Sequence, residues 1–372
     1  MDVFLHIGSG KTGTSSVQHF LGANRATLAS LGYLYPETPG KARHQDLGFF
    51  IAPDRSLENF PNWHRWHGDE APAEFREAFR ERLLGEIAAA GLPNVVLSDE
   101  ALYGLPGSSV ERLRGLLEEL GARAHVLVYL RRQDDHLISR YQQVVKTGET
   151  RTLEEWAAQD MTTAYDYAAR LGTWAEVLRP ASLVVRPFER SSFVDGSLYQ
   201  DFLAAVGVDR PASEFAPVGR RNESLDAAAV ELVRLLNQQR RDRNGPQARI
   251  DNRRLVKILA TRPAGPTLTL PEPVLDDFME KWAESNRLVA TTWLGRADGQ
   301  LFHEPRKTQH TTTLQGLDPD AGARLLGELE LPAPLLRRAR LALGLQPDPP
   351  PRRGRSRVVA GLRRLRNRVR GA

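Results

Sequence analysis

The segment from Phe4 to Ser16 constrains the fold more than any other part of the chain. Val3-Phe4-Leu5-His6-Ile7 is a short apolar run that opens into Gly8-Ser9-Gly10-Lys11-Thr12-Gly13-Thr14-Ser15. From Ser16 onward Val17, Phe20, Leu21, Leu28 and Leu31 recur at helical spacing. That order predicts a buried strand, a tight glycine-rich loop and a helix. Glycine permits the turn and the close approach of a ligand. A helix start offers unpaired N–H groups and the positive end of its dipole. Lys11 adds a mobile charge, and Thr12, Thr14 and Ser15 add hydroxyl donors. The loop therefore reads as a phosphate cradle.

The remaining pattern is α/β. Strand-like runs at 32–36, 94–98, 125–130 and 182–186 alternate with helical stretches at 75–90, 110–120, 137–145, 165–177 and 197–206. Strands separated by helices imply parallel pairing with crossovers. Residues 37–72, rich in His, Trp and Asn, read as an irregular excursion, and such long loops are seldom without function. The second half is largely helical, with the clearest segments at 225–238 and 273–289 and some helical character at 318–345. No repeat or second independent core is evident. The expected organisation is one α/β domain over 1–302, an extension and linker over 303–351, and an arginine-rich tail over 352–372.

The chain has 372 residues and no cysteine, which removes disulfides and thiolate chemistry and fits a reducing compartment. No apolar run suits a bilayer span, and Met1-Asp2 leads straight into a strand, so neither a membrane anchor nor a signal peptide is expected. A cytoplasmic location follows as an expectation. The net charge is +5, yet nine arginines and no acidic residue lie between Arg352 and Arg370, leaving about −4 elsewhere. A uniformly basic nucleic-acid face is not indicated.

Two familiar loops fit poorly. A Walker loop ending in Gly10-Lys11-Thr12 needs a glycine where Leu5 stands. Gly8, Gly10 and Gly13 have dinucleotide-loop spacing, but lysine and hydroxyls crowd it, and only Glu37, after a proline, stands near the expected acidic position. Leu5-His6-Ile7-Gly8-Ser9-Gly10-Lys11-Thr12-Gly13-Thr14-Ser15-Ser16 instead resembles the 5′-phosphosulfate loop of sulfotransferases that use 3′-phosphoadenosine-5′-phosphosulfate (PAPS), in their bacterial and carbohydrate-type branch. Tyr129-Leu130-Arg131-Arg132-Gln133-Asp134-Asp135-His136-Leu137-Ile138-Ser139 resembles the 3′-phosphate segment of the same family, with Arg131 ending a strand and Ser139 eight residues later. A guanidinium there forks well onto phosphate. The plain alternative pairs Arg131 with Asp134 or Asp135. Arg132 replaces the family's usual asparagine. Gly219-Arg220-Arg221-Asn222-Glu223-Ser224 resembles a basic turn near the 3′-phosphate, which makes Arg220 and Arg221 candidates. The likeness extends through Arg186-Pro187-Phe188-Glu189 and residues 286–302, and so covers about residues 2–302.

The resemblance implies a P-loop-like three-layer fold around a central parallel sheet, with a helical second half and a basic C-terminal extension. It implies sulfuryl transfer from PAPS, with 3′-phosphoadenosine-5′-phosphate (PAP) as product and no metal required. Gly10, Lys11, Thr12, Gly13, Thr14 and Ser15 would hold the 5′-phosphate, Arg131 and Ser139 the 3′-phosphate. Lys11 would stabilise the departing oxygen. For the base, Glu100 follows the strand end Leu97-Ser98-Asp99, where open parallel sheets bind ligands. The alternative is that Glu100 or Asp99 merely starts a helix or pairs with an arginine. His44, in a His-Gln-Asp-Leu segment resembling bacterial members, is the second candidate. Trp63, His64, Trp66 and His67 suit either stacking on an acceptor or a small local core. His6, within the first strand, is expected to hydrogen-bond beneath the loop.

The expected acceptor is a small molecule, glycan or glycolipid bearing a hydroxyl or amine. A kinase-like phosphotransferase and a non-catalytic anion- or glycan-binding protein are the competing readings. In the tail, Val358, Val359, Leu362, Leu365 and Val369 alternate with arginines at helical spacing. That pattern suits peripheral contact with an anionic membrane, with disorder as the alternative.

Overall fold

Five strands form the centre: β1 (Asp2–His6), β2 (Tyr33–Leu34), β3 (Asn94–Ser98), β4 (Arg123–Leu130) and β5 (Ser182–Pro187). The computed structural model describes residues 1–57, 61–219, 224–245, 248, 250–263 and 265–346. All neighbouring strands pair in parallel, in the order β2-β3-β1-β4-β5. Leu5 of β1 stands opposite Leu97 on one side and Val126 on the other. The run Val126–Leu130 is buried throughout, as expected of a strand covered on both faces.

The helix Thr14–Ala23 turns Val17, Phe20 and Leu21 onto one side of the sheet, where they join Tyr129, Phe202, Leu203 and Val206 in the core. That i, i+3, i+4 stripe is the helical periodicity visible in the sequence. Phe75, Phe79, Leu83 and Ile87 recur every fourth residue along Pro72–Ala90 and are buried likewise. The chain leaves β1 toward β2 and leaves β4 toward β5, so adjacent strands send their connections in opposite directions. The β1–β4 boundary is the topological switch point, and the crevice at its carboxyl end is where such sheets bind ligands.

Three expectations change. Residues 37–72 are not irregular: they hold the short helices Gln45–Ile51, Asp54–Leu57 and Pro61–His67. Helices of four to seven residues are too short to display an apolar period. Trp63 is buried, with its ring 4.5 Å from His67, 5.1 Å from Phe75 and 5.6 Å from Phe49. The Trp/His cluster is thus largely a local core, with Trp66 exposed. The single helix expected at 273–289 is two, Glu272–Glu280 and Ala283–Trp293, broken at Trp282, whose ring packs on Tyr165 and Phe278.

The chain's contacts also divide it elsewhere than at residue 302. One unit comprises 1–144, 151–224 and 266–313; the other comprises 145–150, 225–265 and 314–372. Residues 303–313 belong to the first unit, where Thr311–Thr312 pairs with Thr267–Leu268. In the second unit the helix Ala227–Asn244 buries Val230, Leu232, Val233 and Leu236. Asp226 caps it through the N–H of Ala229 and also binds Arg262. The tail 352–372 lies outside the described residues. Among the described residues no helix is long and apolar enough to cross a membrane.

Candidate functional site

The glycine-rich loop leaves β1 at the switch point and is built from left-handed residues. Gly8, Gly10, Lys11 and Gly13 have φ of +41°, +71°, +52° and +74°. Conformations of this kind aim successive N–H groups into an anion-binding concavity. A Cβ on Gly8 would stand 2.9 Å from Thr14 Oγ1 and 3.3 Å from the Glu100 Cα, and one on Gly13 would strike Leu198 and crowd Phe188. The glycines are therefore fixed by contact as well as by φ. Gly13 caps the helix and its carbonyl accepts the N–H groups of Ser16 and Val17, which leaves those of Thr14 and Ser15 ahead of any intrahelical acceptor.

Three bonds hold the loop from outside. Ser9 Oγ donates to the Tyr129 carbonyl at 2.8 Å, His136 Nε2 meets the Ser9 carbonyl at 3.1 Å, and Arg131 Nη1 donates to the Lys11 carbonyl at 3.2 Å. Thr12 and Thr14 are buried with their hydroxyl oxygens 3.3 Å apart, so they offer the cradle backbone N–H rather than side-chain donors. Ser15 and Lys11 are exposed. Desolvation by the surrounding loop, then the charge of Arg131, hold the Lys11 ammonium below its ordinary range, while Glu100 opposes them.

Beneath the loop lies a buried polar layer centred on Ser98. Its hydroxyl bonds His6 Nδ1 at 2.9 Å and receives Gln18 Nε2 at 3.3 Å. His6 sits where the sequence placed it, and burial pushes it down to about 3, which keeps it neutral. His44 belongs to this layer too. It is fully buried, stacked on Tyr35 at 4.2 Å, and its Nδ1 accepts the Ser98 N–H at 3.1 Å. Burial, then Arg25, push it down to about 3. The expectation that His44 acts as a base is corrected: its ring has no exposed surface from which to meet an acceptor and serves to pin its segment to the end of β3.

Glu100 does come to the loop. It is half-buried beside Gly8, and its charge reaches Lys11. It is also paired, with Arg43 Nη1 at 3.4 Å, while Arg43 Nε donates to Asp99 at 2.7 Å. Arg43 thus bridges both carboxylates. Asp99 is fully buried, and burial pushes its carboxyl up to about 6 despite Arg43.

The second candidate element is at the end of β4. Asp134 receives Arg132 at 3.0 and 2.8 Å and Arg306 at 2.7 Å. Burial works to raise Asp134, but those two guanidiniums outweigh it and hold the carboxyl below the usual range. Asp134 therefore takes Arg132, and Arg131 is left to the loop. Desolvation depresses the Arg131 guanidinium, against the charge of Asp135. Beside it opens a cavity of about 830 Å³ bordered by Gly13, Ser16, Arg131, Phe188, Tyr199 and Lys307. Ser139 is half-buried on the helix Gln133–Thr147 and does not line this cavity. Arg220 and Arg221 lie outside the described residues.

Sequence reasoning missed three contributors. His136, buried with its Nδ1 3.0 Å from the Tyr165 hydroxyl, supports the loop, but nothing local marks a histidine as buried. Arg190 and Lys307 line the cavity from segments outside both motifs. Residues 303–304 are drawn in by Glu189, which accepts the N–H groups of His303 and Glu304 at 3.0 and 2.8 Å. Among the described residues no group of three or more His, Asp or Glu side chains is placed to hold a metal.

Fold and site together define an α/β protein whose parallel sheet carries a glycine-rich strand-to-helix loop at its switch point. No protein-family model matches the chain, and no solved structure matches it. An uncharacterized protein of Archaeoglobus fulgidus is 28% identical over 216 residues, which is 56% of this chain and 56% of that protein. The chain thus spans about half the length of that relative.

Proposed function

We propose that this chain is a PAPS-dependent sulfotransferase acting on a hydroxyl or amine, with a glycan or glycolipid as the favoured acceptor class. One observation carries the reading. Arg131, at the end of β4, is bonded to the Lys11 carbonyl in the loop that ends β1. The two candidate anion-binding elements therefore stand side by side at one switch point, an arrangement that would suit a donor with phosphates on both ends of its ribose. Leu5, where a Walker loop needs glycine, weighs against a nucleoside triphosphate.

In this reading the backbone N–H groups of Thr12, Gly13, Thr14 and Ser15 hold the 5′-phosphate, and Arg131, with Ser139 two turns along its helix, holds the 3′-phosphate. The acceptor oxygen attacks sulfur as the bond from sulfur to the bridging oxygen breaks. The sulfuryl group passes to the acceptor and the bridging oxygen leaves with the phosphate. Lys11 faces the charge that develops there, the kind of preorganised stabilisation that contributes most to such a step. Glu100 takes the acceptor's proton. Arg43 Nη1, 3.4 Å away, holds the carboxylate in place beside the loop.

Titration calorimetry tests the reading. PAP should bind tightly and ATP with magnesium much more weakly. Equal binding of the two, or none of PAP, refutes it; tight binding of ATP alone would favour a phosphotransferase.

A further inference from the structure

The two units differ sharply in charge. The first carries 28 lysines and arginines against 36 aspartates and glutamates, a net −8; the second carries 23 against 10, a net +13. The arginine-rich segment 352–372 supplies nine of those positive charges, yet the second unit remains basic without it.

Within the described part of that unit the charge converges on one cavity of about 650 Å³, lined by Gln239, Arg240, Arg243, Asn244, Asp251 and Arg338. Arg240 is half-buried and aimed by two bonds, from Nη1 to Asn252 Oδ1 at 2.9 Å and to the Asp251 carbonyl at 3.3 Å. Burial and the neighbouring charge of Arg338 both work against its protonated form. Among the described residues the one carboxylate in the lining is Asp251, and it is occupied by Arg253 at 2.6 Å. A helix dipole favours arginines in the last turn, which accounts for Arg243 on Ala227–Asn244. It does not account for Arg338, which arrives from a different helix, Ala333–Ala342. Like charges brought together from two helices, with their nearest carboxylate already engaged, call for an anion.

We propose that the second unit docks on an anionic lipid surface, with Arg240, Arg243 and Arg338 seating lipid phosphate groups. Two observations favour lipid over nucleic acid. The unit contains no Phe, Tyr or Trp, so it has no platform for stacking bases. It does present aliphatic side chains beside its arginines. Leu341, one turn from Arg338, is 54% exposed, and Val358, Val359, Leu362, Leu365 and Val369 are interleaved with arginines in the sequence. Apolar groups among cations suit the boundary between headgroups and acyl chains. This docking does not depend on the sulfotransferase reading, so either can fail alone.

The test is co-sedimentation of the full chain with phosphatidylcholine vesicles, with and without phosphatidylglycerol. Binding should require phosphatidylglycerol and fall as salt rises. The full-length R240Q/R243Q/R338Q variant should partition about 100-fold less well, at the usual contribution of a basic residue near an anionic surface. Its thermal unfolding should match that of the parent; if it does not, R338Q alone serves in its place and should weaken partition about 5-fold. Equal binding to both vesicles, no binding to either, or binding to single-stranded RNA or inorganic phosphate without vesicle binding overturns the proposal.

Discussion

Acidification to pH 5 should strip most of the first unit's stability, because its polar layer depends on neutral histidines. His6, His44 and His136 are each fully or nearly fully buried, and burial pushes each down to about 3. An exposed histidine in the unfolded chain titrates near 6.5. Between those values the unfolded state binds more protons than the native state, so stability present above pH 6.5 is lost as pH falls. At pH 5 each histidine forfeits about 2 kcal/mol, and the three together about 6 kcal/mol. Asp99 acts in the opposite sense. Its native value near 6 lies above the unfolded one, so the native state binds the extra proton and regains about 1 kcal/mol over the same interval. Asp134, held low by Arg132 and Arg306, titrates below this window and contributes nothing to it. The net loss of about 5 kcal/mol is comparable to the whole stability of a typical domain. Urea unfolding at pH 7 and pH 5, at constant ionic strength, measures it through the midpoint and slope. A difference under about 1 kcal/mol would refute the account, since it would mean that these rings are not held neutral in the native core. The conservative H44Q change should remove about 2 kcal/mol of the pH dependence whatever it does to stability at pH 7.

Two further outcomes follow from the loop. Gly13→Ala places a Cβ against Leu198 and Phe188 at φ +74°, and should cost about 2–5 kcal/mol from left-handed strain plus overpacking. A loss below about 0.5 kcal/mol in urea unfolding would show the loop to be more compliant than its contacts suggest. Removing Lys11 (K11A) or neutralising Glu100 (E100Q) should lower kcat in a sulfuryl-transfer assay by about 100-fold or more while leaving PAP binding by E100Q unchanged. Full activity in either variant would remove that residue from the role proposed for it.

How much of this the sequence disclosed depended on whether a feature is local. β3 was legible to the residue at Asn94–Ser98, because a buried parallel strand is a continuous apolar run bounded by polar residues. The loop was legible because left-handed backbone selects glycine, and three of its four left-handed positions are glycine. The fourth, Lys11, could not be read that way. The helices of 37–72 were hidden because each is shorter than two apolar repeats. The unit boundary was hidden because residues 225–265 group with a segment that begins only at Leu314.

The site was legible in its residue types and not in its pairings, and the adjacent arginines at the end of β4 make the reason concrete. The sequence assigns the phosphate to Arg131 by its spacing to Ser139, and leaves open that Arg131 instead pairs with Asp134 or Asp135. The choice is made by Arg306, 172 residues beyond Asp134, which binds the same carboxylate as Arg132 and fixes both in place. Arg131 is then left to the Lys11 carbonyl, joining the end of β4 to the loop after β1. The same long reach decides between the candidate bases. His44 and Glu100 both approach the end of β3, but the Ser98 N–H holds the histidine inside the core, whereas Glu100 stays half-exposed beside Gly8. A residue's chemistry is written locally, while its access to a ligand is set by partners that only the fold supplies.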